Sequence, residues 1–314
     1  MTIGIPRALF YWKRPHLWET FFTNLGFKVL LSPETNKEII ERGVKAADTE
    51  TCFSMKVLYG HVLSLEEKVD SIFIPRFKKN ELGLEYCPKF FALPDLFSIL
   101  TKTPIVTAWL DLKNKSFNNI LIKLAASLGK KGEIVDKAIK VALLKEEDEQ
   151  EKKEREYFSK IKSPKKKVIL ISHPYNLYDE YVNLNIKKKI EDLDGEIIFV
   201  DEIPFNKNNP SDINFQREIT PKFHWEFGQE MLTRIRTIIG SADSSGLISG
   251  KDNIKIQGAI EISAFQCGCD AVLKEFVEKE FKENKIPFLY LLIDEQTGEA
   301  GMQTRLEAFF DTLQ

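Results

Sequence analysis

Short apolar runs alternate with amphipathic stretches along most of the chain. Residues 3–5 form the first run. Residues 17–25 carry apolar positions at helical spacing and stop at Gly26, a residue suited to a left-handed helix end. Residues 27–31 read as a second strand and 36–47 as a helix. Residues 52–62 begin another helix, with Thr49 or Thr51 near its start. A third strand is expected over 71–75, a loop over 76–88 and a fourth strand over 104–110. Strands that alternate with helices predict a parallel α/β architecture.

The pattern changes over 117–162, which is helical in spacing and increasingly charged towards Lys145-Glu146-Glu147-Asp148-Glu149. Opposite charges three and four apart describe a solvated helix. The strand–helix rhythm resumes at Lys165, with strands expected over 168–172, 196–200, 260–264 and 288–293 and helices over 223–239 and 271–283. The predicted fold is α/β: two doubly wound, Rossmann-like or flavodoxin-like parallel-sheet domains with a helical bridge. The expected boundaries are 1–115 for the N-terminal domain, 116–164 for the bridge and 165–314 for the C-terminal domain.

Composition narrows the function classes. A chain of 314 residues with a 43% hydrophobic fraction can bury two medium cores. A formal net charge of −2 supplies no overall field for nucleic acid or a membrane surface. No apolar run approaches the roughly 18 residues of a membrane helix, and the N-terminus lacks the layout of a secretory signal. The expected location is the cytoplasm, where a few scattered cysteines point to metal or redox chemistry before disulfides.

Four cysteines stand at three points: Cys52, Cys87, and the pair Cys267 and Cys269 around one glycine. Each point adjoins an expected strand or helix start. Ligands of open parallel sheets gather beyond the carboxyl ends of the strands. Helix N-termini favour the thiolate, which is the form a metal needs. If the four converged, the centre would lie in the cleft between domains. Four thiolates can hold one iron–sulfur cluster or one zinc ion. No Cys-x-x-Cys knuckle is present, and single burial of small apolar side chains is the bland alternative.

Other candidates are fewer. His173 ends an expected strand and can serve as acid, base or hydrogen-bond donor, or as a satisfied structural histidine. His61 also stands out by position. Asp294-Glu295-Gln296-Thr297-Gly298-Glu299 follows a strand, and Glu299 and Arg305 are its candidates for a pocket lining or a helix cap. Both phosphate-loop fingerprints are missing, and the glycine- and serine-rich residues 240–250 read as a loop.

The motifs Ile3-Gly4-Ile5-Pro6-Arg7, Cys52-Phe53-Ser54-Met55-Lys56 with Gly60-His61, Pro75-Arg76 and Tyr86-Cys87-Pro88-Lys89 occur in order. They are followed by Leu93-Pro94-Asp95, His173-Pro174-Tyr175-Asn176, Cys267-Gly268 and Asp294-Glu295-x-Thr-Gly-Glu-Ala-Gly with Thr304-Arg305-Leu306-Glu307. As a set spanning nearly the whole chain, they resemble the acyl-CoA dehydratase activase-related proteins. These in turn are similar to catalytic subunits of 2-hydroxyacyl-CoA dehydratases and benzoyl-CoA reductases.

The resemblance implies an oxygen-sensitive [4Fe-4S] protein of mostly anaerobic bacteria. Its two α/β domains would flank the cluster, and a separate ATP-hydrolysing activase would donate electrons. An acyl-CoA substrate and an oligomeric assembly are compatible with it. Carried over by motif, Cys52, Cys87 and Cys267 are cluster ligands. Cys269 stands where many relatives have another residue, so it decides whether one iron is open. Ser54 replaces a proline common in relatives. A zinc-stabilised or metal-free α/β scaffold that binds an activase or dehydratase partner is the competing expectation.

Overall fold

The computed structural model describes residues 1–204, 223–239 and 254–313. Two compact units divide the chain, Met1–Gln150 and Glu151–Gln314.

The first unit begins with β1 (Thr2–Ile5), α1 (Phe10–Lys13), α2 (Pro15–Asn24) and β2 (Lys28–Leu31). Then follow α3 (Lys37–Ala46), α4 (Phe53–Leu65), β3 (Ser71–Phe73), β4 (Arg76–Lys79) and α5 (Pro88–Leu100). It continues through β5 (Ile105–Val106), β6 (Trp109–Asp111), α6 (Phe117–Ser127) and into α7 (Glu133–Ile161). The main sheet is parallel, in the order β2-β1-β3-β5. Trp18, Phe22 and Phe73 fill the core, with the Trp18 and Phe22 rings 4.6 and 4.9 Å from that of Phe73.

Local signals place several boundaries. Gly26 adopts φ 83° after α2, as a left-handed terminus requires, and its N–H reaches the Thr23 carbonyl. Asn36 caps α3 by accepting from the Ile39 N–H at 3.1 Å. Helices α3 and α4 approach through Gly43 and Gly60. A Cβ at either glycine would overlap a backbone carbonyl oxygen of the facing helix, that of Lys56 or of Ile39.

Two expectations are corrected here. Residues 76–88 are not only loop: they contain β4 and the first residue of α5. The single strand expected over 104–110 is two strands, β5 and β6. Pairing explains both. β4 lies parallel to β6, and the ladder from β3 and β5 continues through Ile74 N–H to Val106 O and Arg76 N–H to Ala108 O. Pro75 has no N–H to give, which breaks the strand in two. The polar run Arg76-Phe77-Lys78-Lys79 carries no apolar alternation, so only its partner strand reveals it. Helix α5 has Pro88 at its first turn, where a missing N–H costs nothing, but also Pro94 in its interior.

The division between units falls within α7. The segment expected as a charged bridge thus holds two helices, α6 and α7. The second unit continues with β7 (Lys166–Ile171), α8 (Pro174–Leu177), α9 (Ile186–Asp192) and β8 (Gly195–Phe199). It ends with α10 (Glu226–Ile239), β9 (Gly258–Ala264), α11 (Gly268–Glu283), β10 (Phe288–Ile293) and α12 (Glu299–Thr312). Its sheet is parallel, in the order β10-β9-β7-β8. All seven residues of β9 are buried, as a strand covered on both faces requires. Residues 240–250, expected as a loop, lie outside the described residues.

The architecture is therefore α/β with Rossmann- or flavodoxin-like parallel sheets, as the alternation predicts. Within each unit the first strand is flanked by the second and third. The strand order reverses there, between β1 and β3 and between β7 and β9, and ligands of open α/β sheets gather beyond the carboxyl ends at such a point.

Candidate metal and thiol centre

In the second unit, β7 runs into Ser172 and His173, and β9 runs into Phe265, Gln266 and Cys267. Both ends lie at the reversal point. Gln266 takes the left-handed conformation, φ 63°, which swings the chain from the strand into α11. Cys267 is the N-cap of that helix. His173 is the N-cap of the four-residue α8.

These two side chains meet a third. A ring nitrogen of His173, the Cys267 sulfur and a carboxylate oxygen of Asp270 lie within 4.8 Å of one another. His173 Nε2 is 2.9 Å from Asp270 Oδ1. The imidazole is stacked on Tyr175 at 4.7 Å and on Phe227 at 3.6 Å between ring centres, so its plane is fixed. The side chains of His173 and Asp270 are 12% and 5% exposed. Asp270 Oδ2 is buried and makes no hydrogen bond among the described residues.

Asp270 escaped the sequence reading, although a signal for it exists. It stands three residues after the N-cap Cys267, and side chains three apart share a helix face. Cys269, two residues on, faces another way and is not part of the convergent set.

Glu261 projects from β9 close to this group. Burial pushes its carboxyl up to about 9, reinforced by the charges of Asp270 and Glu278 and opposed by Lys274. Tyr290 is raised chiefly by burial, with Glu261 and Asp270 adding to it. Glu299 and Arg305 occupy α12, exposed to solvent, and Glu299 pairs with Lys189 at 3.5 Å. Neither belongs to the convergent group.

In the first unit, Cys52 is the N-cap of α4 and Cys87 the N-cap of α5. The helix expected over 52–62 thus begins as expected, with Cys52 as its N-cap. Burial pushes the Cys52 thiol up; the Lys89 ammonium and the Met55 N–H oppose this, and the nearby Cys87 reinforces it. Cys87 and the Lys89 ammonium are thus both electrostatic neighbours of Cys52. Three of the four cysteines stand at helix N-termini, where the free N–H groups and the helix dipole favour the charged sulfur.

His61 and Arg76 of the first unit are committed to structure. His61 is fully buried, with Nδ1 2.8 Å from Ser32 Oγ and Nε2 2.9 Å from Thr35 Oγ1. Burial, with the Arg7 charge beside it, lowers its pKa to about 3, so it is neutral. Arg76 clasps Asp95 through two hydrogen bonds of 2.6 and 2.7 Å and lies over the Phe91 and Trp109 rings. Among the described residues no helix is long and apolar enough to cross a membrane.

Comparison with solved structures gives alignments along the chain but no shared superposition. The SBP FpvC of P. aeruginosa, in complex with a Ni2+ ion, is 11% identical and has a TM-score of 0.27, covering 99% of this chain and 94% of its own. A Zn(II)-bound variant of AdcAII from Streptococcus pneumoniae is 8% identical with a TM-score of 0.28, covering 100% and 99%. Scores this low carry no argument about fold or ligand. No curated protein matches. A family model does, over residues 2–203, which include Cys52, Cys87 and His173 and stop before β9. The chain belongs to the family described as the CoA enzyme activase uncharacterised domain (DUF2229).

Proposed function

We propose that this chain is a [4Fe-4S] cluster-binding redox component of an ATP-activated 2-hydroxyacyl-CoA dehydratase or reductase system. In this reading it accepts electrons from a separate activase protein. The observation that carries the reading is the placement of Cys52, Cys87 and Cys267, each at the N-cap of a different helix. The activase-related family membership supports the setting.

The donor chemistry fits the group. Iron–sulfur clusters take thiolates, and helix N-termini stabilise thiolates without adding a counter-cation. Cys52, Cys87 and Cys267 would hold the cluster, with Cys269 as the fourth thiol. When bound, the group supplies one-electron chemistry at a potential set by its charge, hydrogen bonds and exposure. The chain's own residues bear on the last two: the Met55 N–H and Lys89 face Cys52, and burial shields that sulfur from water. Acyl-CoA remains the substrate class of this proposal, and the cytoplasm its location.

Anaerobic purification tests it. About four irons and as many sulfides per chain are expected, with a paramagnetic signal on reduction. Cys52→Ser, Cys87→Ser and Cys267→Ser should each lose iron. A colourless chain without iron or sulfide, even after reconstitution, would refute the reading. One zinc per chain without visible absorbance would favour a zinc-stabilised scaffold instead.

A further inference from the structure

We propose that His173, Cys267 and Asp270 form a binding site, within the second unit alone, for a single borderline divalent cation of the zinc or ferrous class. The site overlaps the cluster site proposed above at one residue, so a chain holds one group or the other. Cys267 is common to both. Cys52, Cys87 and Cys269 serve only the cluster, and His173 and Asp270 serve only the cation.

Three independent observations converge on this site. The first is the donor set, one nitrogen, one sulfur and one oxygen within 4.8 Å of one another. Hard cations such as Mg2+ and Ca2+ prefer all-oxygen shells, whereas zinc and its neighbours accept imidazole, thiolate and carboxylate together. Three protein ligands also leave a fourth position for water or a substrate atom.

The second observation is Asp270 Oδ2. It is buried without a hydrogen bond among the described residues, while Oδ1 of the same carboxylate is engaged by His173. A buried carboxylate oxygen left unpaired is costly, and a cation supplies the missing partner. The third is preorganisation. Tyr175 and Phe227 stack on the imidazole, and the α11 backbone fixes Cys267 and Asp270 on one face. Ligands already held in place lose little freedom when a metal arrives. Chain separation makes the arrangement specific: His173 and Asp270 are 97 residues apart in sequence.

The test uses the full chain carrying Cys52→Ser and Cys87→Ser, prepared free of iron, and cobalt(II) as the probe. The two serines remove the thiols that only the cluster needs. One equivalent of cobalt should bind, with a thiolate-to-cobalt charge-transfer band, and zinc should displace it. Adding Cys267→Ser should abolish the band. Asp270→Asn and His173→Gln should each weaken binding by at least about tenfold. Cys269→Ser should leave affinity and band unchanged.

The same titration on the iron-free wild-type chain covers the case in which the double variant does not fold. There too, Asp270→Asn should weaken the cobalt site and Cys269→Ser should not. Absence of saturable cobalt binding in both chains would overturn the proposal. So would loss of the band in Cys269→Ser with retention in Cys267→Ser, or parent-like affinity in both His173→Gln and Asp270→Asn. These outcomes do not depend on iron or sulfide content, so failure here and failure of the cluster reading are told apart.

Discussion

The sheet of the first unit runs β2-β1-β3-β5, and that of the second runs β8-β7-β9-β10 when read from the same side. In both, the first strand lies between the second and third, and the strand order reverses at the same place. The side chains delivered there differ. In the first unit β1 leads to Arg7 and β3 leads, through Pro75, to Arg76. Arg7 pairs with Glu34 at 3.3 Å, and Arg76 is clasped by Asp95. In the second unit the corresponding strand ends lead to His173 and Cys267, which meet at Asp270. Topology decides where a site can be. The residues at the strand ends decide what it can do.

The contrast extends to buried ionisable groups. Each unit buries a group that its surroundings keep neutral, the histidine His61 in the first and the carboxylic acid Glu261 in the second. The costs of charging them have opposite signs in pH. The two units also differ in how closely their helices pack, which gives the largest expected effect.

Gly60→Ala should destabilise the first unit by about 3 kcal/mol or more, because the added Cβ overlaps the Ile39 carbonyl and rigid helix backbone must shift. Gly228→Ala in α10 of the second unit meets side chains and no backbone among its nearest neighbours, the Phe223 ring at 3.3 Å and Leu273 Cδ1 at 3.5 Å, and gains helix propensity. It should change stability by no more than about 1 kcal/mol. Urea midpoints of the two variants measure the difference, and equal costs would erase this part of the contrast.

Glu261→Gln sharpens the comparison next. Glu261 is protonated in the fold up to about pH 9 but ionises from 4.5 in the unfolded chain. Its folded pKa is raised, so its contribution is full below 4.5 and is lost as pH rises towards 9. The slope is about 1.4 kcal/mol per pH unit at its steepest. The groups facing it are Asp270, Lys274 and Glu278. The glutamine variant should lose this slope and exceed the parent in stability at pH 8. Denaturant midpoints across pH 5–9 read both.

His61→Gln should show the mirror image. The folded pKa, about 3, lies below the ordinary value of 6.5. The stability it confers is present above 6.5 and is lost as pH falls towards 3, at a similar slope over a shorter span. Arg7 is the charged group facing it, with the Ser32 and Thr35 hydroxyls on its nitrogens. Removing the imidazole should remove its own share of the acid-side slope, between pH 6.5 and about 3. A slope that persists unchanged in His61→Gln would assign it to other groups.

The smallest effect concerns the thiols. Asn36 caps α3 with a side-chain hydrogen bond, whereas Cys87 supplies none to α5. In the metal-free chain, Cys87→Ser should therefore stabilise α5 by up to about 1 kcal/mol. A cysteine kept where serine is the better cap points to chemistry that needs sulfur. A serine variant less stable than the parent would mean that the thiol already serves the fold.

Much of the element pattern was legible in the sequence. The run Phe288-Leu289-Tyr290-Leu291-Leu292-Ile293 gave β10 its bounds, and Gly26 ended α2 as its φ demands. β4 was not legible, because Arg76-Phe77-Lys78-Lys79 is a strand through pairing with β6 and not through its own periodicity. Helix α5 was hidden by Pro94, an interior proline that local propensity argues against. The cysteines and His173 were visible as residue types suited to chemistry. Asp270 was passed over because an acidic residue in the first turn of a helix is commonplace.

The sequence by itself determined the alternation of strands and helices, and with it the parallel sheets, since hydrophobic spacing is local. It also placed Cys52 and Cys267 where helices begin, whereas the structure alone showed that Cys87 begins one too. Only the tertiary structure decided that His173 and Cys267 share a site. Residues from β7 and β9 become neighbours through the register that sets Ile171 beside Glu261. Register arises from hydrogen bonds and burial between segments about ninety residues apart, and no local pattern encodes it.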